Sequence, residues 1–345
     1  MIPRFVLHRC RSRAPHSDPG IGGGVAAPPL GRQISGFLFA ILACAGIDAQ
    51  ERKLPDAEID RLLALHHTER EQVRLVQVPV VVTNRRGKLI RGLGPEDFRL
   101  SEDHVPQEIK YFTTENAEPI SIAFLLDISG SMRQVGKLDE AKEAIRTFVE
   151  ALGDRDRFGL VCFADDQVDW VTGFTTDRVN FLRRLAVQEA YGQTALIDAV
   201  AATPVLVDRE VGANRAIVLF TDGIDTASEM GIFDALQRAR SVNVPIYAVG
   251  FAHLATKMRL PGSRPRTERL VELFAEETGG ALFPVYDPDD LKEAVRSIQD
   301  ELRFRYVIGY HPSRRRWDGT FRRIRLEVVD RRLQTRARTG YYAEP

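Results

Sequence analysis

The sequence predicts an α/β fold: a doubly wound, mostly parallel six-stranded sheet flanked by helices, with a small β-domain beside it. Two observations support this prediction. Short, almost unbroken apolar runs, such as residues 120–126 and 216–220, are typical of strands buried on both faces of a parallel sheet. Between residues 118 and 302 such runs alternate with helix-length amphipathic segments, which indicates right-handed crossovers.

The alternating segment is predicted to contain six strands and six helices. The strands fall near residues 120–126, 157–164, 167–172, 215–221, 244–250 and 281–285. The helices fall near residues 137–152, 176–187, 195–208, 230–241, 267–278 and 288–302. Because only residues 164–166 separate the second strand from the third, we expect these two to form a hairpin. One antiparallel strand should therefore lie at an edge of the sheet.

Polar side chains follow two of the predicted strands. Asp127, Ser129 and Ser131 come directly after the run 120–126, Asp222 follows the run 216–220, and Thr194 lies in a glycine-containing loop before a helix. Open α/β sheets bind ligands at the carboxyl ends of their strands. Carboxylate and hydroxyl oxygens suit Mg²⁺ or Mn²⁺ and are unsuited to zinc. Capping of the following helix would explain Asp127, Ser129 and Ser131, but it would leave Asp222 unexplained.

This order of D-x-S-x-S, then Thr, then an apolar strand ending in T-D-G resembles the metal-ion-dependent adhesion site (MIDAS) of von Willebrand factor type A (VWA) domains. The resemblance covers about residues 118–302, and every motif position matches. It implies a Rossmann-like VWA fold in which Ser129, Ser131 and Thr194 contact Mg²⁺ or Mn²⁺ through their hydroxyls. Asp127 and Asp222 would contribute directly or through water, and a partner protein's Asp or Glu would fill the open position.

Both flanks of this segment have the pattern of short strands separated by turns, which indicates a small β-domain. The strands are predicted at residues 75–83, 98–101, 107–112, 305–310, 318–328 and 334–342. The flanks resemble those of a bacterial exported family usually called VWFA-related. That resemblance implies that residues 74–117 and 303–345 form one β-sandwich with the VWA domain, residues 118–302, inserted between them. Strands that alternate arginine with apolar residues are expected to be solvated edges.

The N-terminal segment predicts export. Arginines between positions 4 and 32 precede the apolar run 34–45, which is short for a transmembrane helix and is followed by small residues. Residues 1–49 are therefore predicted to be a signal peptide, and the mature chain to be periplasmic or extracellular. A lipid anchor at Cys44 stays open, because residues 41–44 loosely resemble a bacterial lipoprotein box. Residues 50–73 are predicted to be a polar helical tether.

The overall charge does not suggest nucleic acid as a partner, and a nucleic-acid or anionic-surface role for the Arg-rich tail is the less favoured alternative. Lys and Arg together number 48, as do Asp and Glu, so the whole chain has no basic excess that would indicate nucleic-acid binding. Arginines are nevertheless concentrated in residues 303–338, whereas residues 119–302 have an acidic excess. We expect the basic flank to dock beside the acidic domain. Cys162 lies within an apolar strand, which predicts a buried and inert thiol.

The sequence favours a binding protein over an enzyme. It contains no G-x-S-x-G, no P-loop and no H-E-x-x-H motif, and none of its seven histidines adjoins a predicted ligand segment. We therefore expect an exported, adhesion-type module that binds a protein through its metal. The alternative is a scaffold protein of the envelope that binds its partner permanently through the same site. A metal-dependent hydrolase is the less favoured third possibility.

Overall fold

The structure is a computed structural model that describes residues 74–115, 119–208, 214–251 and 266–344. The predicted signal peptide, residues 1–49, and the predicted tether, residues 50–73, lie outside the described residues. No helix in the described part of the chain is long and apolar enough to span a membrane.

Strands and helices follow one another along the described chain. The strands are β1 (Val76–Asn84), β2 (Phe98–Glu102), β3 (Val105–Gln107), β4 (Tyr111–Glu115), β5 (Ser121–Asp127), β6 (Arg157–Ala164), β7 (Gln167–Thr175), β8 (Arg215–Thr221), β9 (Ile246–Phe251), β10 (Leu282–Val285), β11 (Arg305–Tyr310), β12 (Phe321–Val328), β13 (Leu333–Ala337) and β14 (Gly340–Tyr342). The α-helices are α1 (Lys137–Ala151), α2 (Arg178–Ala186), α3 (Leu196–Asp208), α4 (Ile232–Ser241), α5 (Arg266–Thr278) and α6 (Pro288–Arg303). Short 3₁₀ helices, Pro95–Asp97 and Gly130–Gly136, precede β2 and α1.

The central sheet has six strands in the order β10-β9-β8-β5-β6-β7. Its neighbouring strands are parallel, apart from β6 and β7, which pair as the predicted hairpin with Phe163 opposite Val168. The sequence prediction of a doubly wound, mostly parallel sheet with one antiparallel edge strand is therefore confirmed.

Strand β5 lies at the centre of this sheet, and every one of its residues is buried. Phe124 and Leu126 face a core formed with helices α1, α2 and α6. Ala123 and Leu125 face the opposite core, formed with helices α3, α4 and α5. Because successive side chains of a strand point to opposite faces, an apolar run without alternation is what burial on both faces requires.

The two flanks build a β-sandwich. One sheet has the order β13-β1-β11-β4 and the other the order β14-β12-β2-β3, so each contains strands from both sides of the central domain. Strand β1 pairs with β11 on one side and β13 on the other. Val78, Val80, Tyr306 and Ile308 are among the side chains of its core. This confirms the predicted architecture of an α/β domain inserted in a sandwich.

The strand predicted at residues 107–112 is wrong as a single element. Strand β3 ends at Gln107 and belongs to one sheet, whereas β4 begins at Tyr111 and belongs to the other. Gln107 pairs with Leu100, and Tyr111 pairs with Gly309. Residues 108–110 therefore carry the chain from one sheet to the other, a crossing that the alternating sequence pattern could not indicate.

The expectation that the arginines of the C-terminal strands are solvated is wrong for Arg322, which is fully buried. Its guanidinium donates to backbone carbonyls in the loop 314–316 and lies 3.4 Å from a Glu102 carboxylate oxygen. The hydroxyls of Tyr310 and Tyr341 donate to the other Glu102 oxygen at 2.6 and 2.8 Å. These contacts supply most of the hydrogen bonds that a buried ion pair needs, although the Arg322 Nε–H has no partner within the described residues.

An ion pair and a hydrogen bond join the basic flank to the central domain, and the ion pair is of the kind that the charge distribution predicts. Arg336 on β13 pairs with Glu301 near the end of α6, and the Glu301 side chain is only 6% exposed. Glu277 near the end of α5 pairs with Arg240 and accepts a hydrogen bond from the Thr339 hydroxyl. The sandwich therefore packs against the ends of α5 and α6.

Candidate metal centre

Three loops meet at the carboxyl ends of β5, β6 and β8. We call them the first, second and third loops, and they comprise residues 127–136, 190–195 and 222–231. The Gly130 N–H of the first loop donates to the Gly192 carbonyl of the second at 3.0 Å. The Thr226 N–H of the third loop donates to the Thr194 carbonyl of the second at 2.9 Å. The structure thus brings together the three segments that carry the predicted ligands.

Asp127 ends β5 and is completely buried. One carboxylate oxygen accepts the Ser129 N–H at 2.9 Å, and the other accepts the Thr221 hydroxyl at 2.7 Å. Burial raises the pKa of Asp127 to about 6, although these hydrogen bonds oppose the shift and the charge of Asp222 adds to it. A carboxylate that is removed from water beside a second carboxylate is stabilised by a nearby cation.

The predicted hydroxyl ligands lie on the first and second loops. The Ser129 and Ser131 hydroxyls are 3.0 Å apart, and Ser129 is fully buried. Thr194 is also buried. Its N–H donates to the Thr226 hydroxyl at 3.0 Å, and its carbonyl accepts N–H groups from Thr226 and Ala227. The backbone of Thr194 is therefore fixed on both sides by the third loop.

Asp222 begins the third loop, and its partner is Lys137, the first residue of α1. The Lys137 ammonium lies 3.0 Å from an Asp222 carboxylate oxygen. The side chains of Lys137 and Asp222 are 8% and 2% exposed, so this ion pair is buried. Gly223 follows with φ +80°, a conformation that favours glycine and turns the chain away from β8.

The donor set fits a hard divalent cation. Within the described ranges the structure contains no group of three or more His, Cys, Asp or Glu side chains that could hold a metal. The candidate set instead combines two carboxylates with three hydroxyls, the oxygen donors that Mg²⁺ and Mn²⁺ accept. The Lys137 ammonium, which is paired with Asp222, indicates that the carboxylates of this site favour a positive charge nearby.

The family model for the von Willebrand factor type A domain matches residues 121–312, which is more than half of the chain. The chain belongs to the VWA domain family. The matched residues include the whole central sheet and all three loops of the candidate metal centre.

Relatives of this VWA protein are similar over about half of its length. An uncharacterized protein of Borreliella burgdorferi is 29% identical over 206 residues, which cover 54% of this chain and 56% of that protein. The UPF0353 protein MAV335 of Mycobacterium avium is 22% identical over 208 residues, covering 54% and 62%. The chain thus spans less than two thirds of either relative. A solved von Willebrand factor type A structure from Catenulispora acidiphila has a TM-score of 0.47 at 16% identity, covering 70% of this chain and 71% of that one.

Sequence reasoning missed Asp165, which positions the second loop of the VWA domain. Its carboxylate accepts the Gln193 N–H at 2.6 Å, and its own N–H donates to the Gln193 carbonyl at 2.8 Å. Gly192 has φ +68°, and a Cβ there would lie 2.3 Å from the Asp165 carboxylate. Glycine is therefore required at this position by both backbone conformation and close approach. A lone carboxylate in a hairpin turn gave no signal of this role.

Asp198 and Asp225 fasten the third loop to helix α3. The carboxylate of Asp198 accepts the N–H groups of residues 229 and 230, each at 3.0 Å. Asp225 accepts the Ser228 hydroxyl at 2.6 Å and the Ile197 N–H at 3.3 Å. Asp225 is therefore half-buried and holds the third loop by these bonds. The small polar residues Asp225, Thr226 and Ser228 were the available signal.

Proposed function

We propose that this VWA protein is an exported module that binds a partner protein through a divalent metal held at the candidate centre. Export would depend on the signal predicted at residues 1–49 and would place the module in the periplasm or outside the cell. The supporting observation is the meeting of Asp127, Ser129, Ser131, Thr194 and Asp222 on three loops bonded to one another at the carboxyl edge of the sheet.

Mg²⁺ or Mn²⁺ bound by these five side chains would supply positive charge and an open coordination position for the carboxylate of a partner's Asp or Glu. The other residues of the site hold these ligands in position. The three hydroxyls are neutral and add nothing to the negative charge of the two carboxylates, whereas carboxylates at every position would overcompensate the ion's charge. The hydrogen bonds from Ser129 and Thr221 hold Asp127 in one orientation. The third loop holds Thr194 by its backbone, which leaves the hydroxyl free to bind.

We propose a binding role without catalysis. The described histidines lie away from the three loops: His104 is in the turn after β2, and His311 contacts the Arg74 carbonyl at 3.3 Å. Cys162 is buried in β6, and burial raises the pKa of its thiol, so it is a poor nucleophile. Within the described residues, the candidate ligands therefore have no separate histidine or thiol beside them to transfer protons.

Calorimetric titration of the purified protein with MgCl₂ and MnCl₂ tests metal binding. We expect one ion per chain and loss of binding in Asp127→Ala. Asp139→Ala is the matched control, because Asp139 is an exposed carboxylate on α1 of the same domain. Equal binding by both variants would contradict the proposed centre.

Capture of a partner from the native envelope, with and without chelator, tests the proposed binding role. We expect capture to be lost in chelator, because Asp127 and Asp222 then repel an incoming carboxylate. Thr194→Ala should weaken capture even where it retains metal, because the coordination geometry loosens. Changing the partner's essential carboxylate to its amide should abolish binding. Full-strength binding in chelator would place the interface elsewhere.

A further inference from the structure

Lys137 is the feature of the site that the proposed ligand set leaves unexplained. It follows Gly136, whose φ of +73° ends the 3₁₀ helix of the first loop and starts α1. The same short segment therefore carries two proposed hydroxyl ligands at its beginning and an ammonium group at its end. That ammonium reaches back to Asp222, which lies 85 residues further along the chain.

Lys137 supplies part of the charge balance at this site. Asp127 ends β5 and Asp222 follows β8, and these two strands are adjacent and parallel. Both carboxylates are shielded from water. Arg133, the other basic residue of the first loop, donates to the Ala190 carbonyl instead. Among the described basic side chains, Lys137 is the one that hydrogen-bonds to either carboxylate. Without metal, its charge compensates part of an otherwise uncompensated buried pair.

We propose that Lys137 is a tethered cation that competes with the divalent ion for Asp222, and this inference depends on the proposed metal site. In the structure the ammonium lies 3.0 Å from one Asp222 oxygen, an atom that a bound divalent ion would also need. When a divalent ion binds, the ammonium leaves Asp222, because two positive charges a few ångströms apart in a poorly hydrated site repel each other. Lys137 thereby lowers the affinity for metal and stabilises the metal-free fold. It is a residue that sets affinity and is not itself a ligand.

The alternative role for Lys137 is to orient Asp222 for the metal, and the two roles predict opposite effects. If Lys137 competes, removing its charge strengthens metal binding and weakens the metal-free protein. If Lys137 only orients Asp222, removing its charge weakens both metal binding and the stability of the metal-free protein. Lys137→Met keeps most of the apolar stem and removes the charge. Lys292→Met is the matched control, since Lys292 is an exposed lysine of the same domain, paired with Asp289 on α6.

The experiment is calorimetric titration of the full protein with MgCl₂ and MnCl₂, paired with urea unfolding in chelator. We expect Lys137→Met to bind the ion at least about tenfold more tightly than Lys292→Met, as expected when a neighbouring like charge is removed. In chelator, Lys137→Met should unfold at lower urea than Lys292→Met, and added metal should close that gap. Lys137→Arg, which keeps the charge, should stay near the wild-type affinity.

Equal or weaker metal binding by Lys137→Met than by Lys292→Met would overturn the competition. Failure of this inference is distinguishable from failure of the proposed function. Metal binding that is present but insensitive to Lys137 overturns only the competition. Absence of metal binding in every variant overturns the metal site and the competition with it.

Discussion

At the scale of single residues, the site depends on how Asp127 is held. Its carboxylate is buried at the end of the central strand, fixed by two hydrogen bonds and close enough to Asp222 to feel its charge. Its position could be predicted from sequence, because a polar motif directly after a buried strand must lie at the sheet's carboxyl edge. The pairing of Lys137 with Asp222 could not be predicted, because the two residues are 85 positions apart and no local pattern links them.

The raised pKa of Asp127 predicts how the metal-free protein responds to pH. Because its pKa rises from 3.8 to about 6 on folding, the folded state binds the proton more tightly than the unfolded state. The resulting stability is fully present below about pH 4 and is lost as the pH rises through about 6, amounting to about 3 kcal/mol. Urea unfolding in chelator between pH 4 and 7 measures this. Asp127→Asn should remove that part of the pH dependence, and an unchanged profile would contradict the account.

At the scale of elements, the third loop holds the site together from one side. It bonds to the Thr194 backbone and, through Asp198, to the start of α3. The strands and helices of the domain could be predicted within a few residues from apolar periodicity. The fastening of one loop to another could not, since it consists of single hydrogen bonds between side chains and distant backbone groups. The break between β3 and β4 escaped prediction for a similar reason, because the pattern does not report which sheet a strand joins.

We expect Asp198→Ala to weaken metal binding although Asp198 is not a proposed ligand. The change leaves the N–H groups of residues 229 and 230 without their acceptor, which loosens the third loop and costs about 2 kcal/mol of stability. Asp208→Ala is the control, because Asp208 lies at the other end of the same helix and pairs with Arg215 near the surface. Calorimetry should show metal affinity several-fold lower for Asp198→Ala than for Asp208→Ala. Equal affinities would show that the loop does not position the site.

At the scale of the whole molecule, we propose domain limits of 74–117, 118–302 and 303–345, with the sandwich docked at one end of the VWA domain. Docking joins the C-terminal flank to acidic helix ends through the ion pair of Arg336 with Glu301 and the hydrogen bond of Thr339 to Glu277. The sequence indicated this attraction through its uneven charge. The alternation along β12 places Arg322 in phase with the buried Ile324 and Leu326. It did not indicate that Glu102 would pair with Arg322, because the two residues are 220 positions apart.

We expect Arg336→Met to destabilise the protein, because it leaves the buried Glu301 carboxylate without its cation. Since Arg336 itself is 26% exposed, solvent screens part of the interaction and the expected loss is about 2 kcal/mol. Arg332→Met should change the free energy of unfolding by less than about 0.5 kcal/mol, because Arg332 forms an exposed pair with Asp330. Urea unfolding of both variants at pH 7 measures the difference. Similar losses would show that the Arg336 contact does not stabilise the docked arrangement.

The most direct test of the central claim is anomalous diffraction from crystals of the protein grown with Mn²⁺. The account predicts an anomalous peak among Asp127, Ser129, Ser131, Thr194 and Asp222, within about 2.3 Å of the serine hydroxyls, with the Lys137 ammonium withdrawn from Asp222. Diffraction that shows no anomalous peak among these side chains, with Lys137 still bonded to Asp222 at millimolar Mn²⁺, would contradict it.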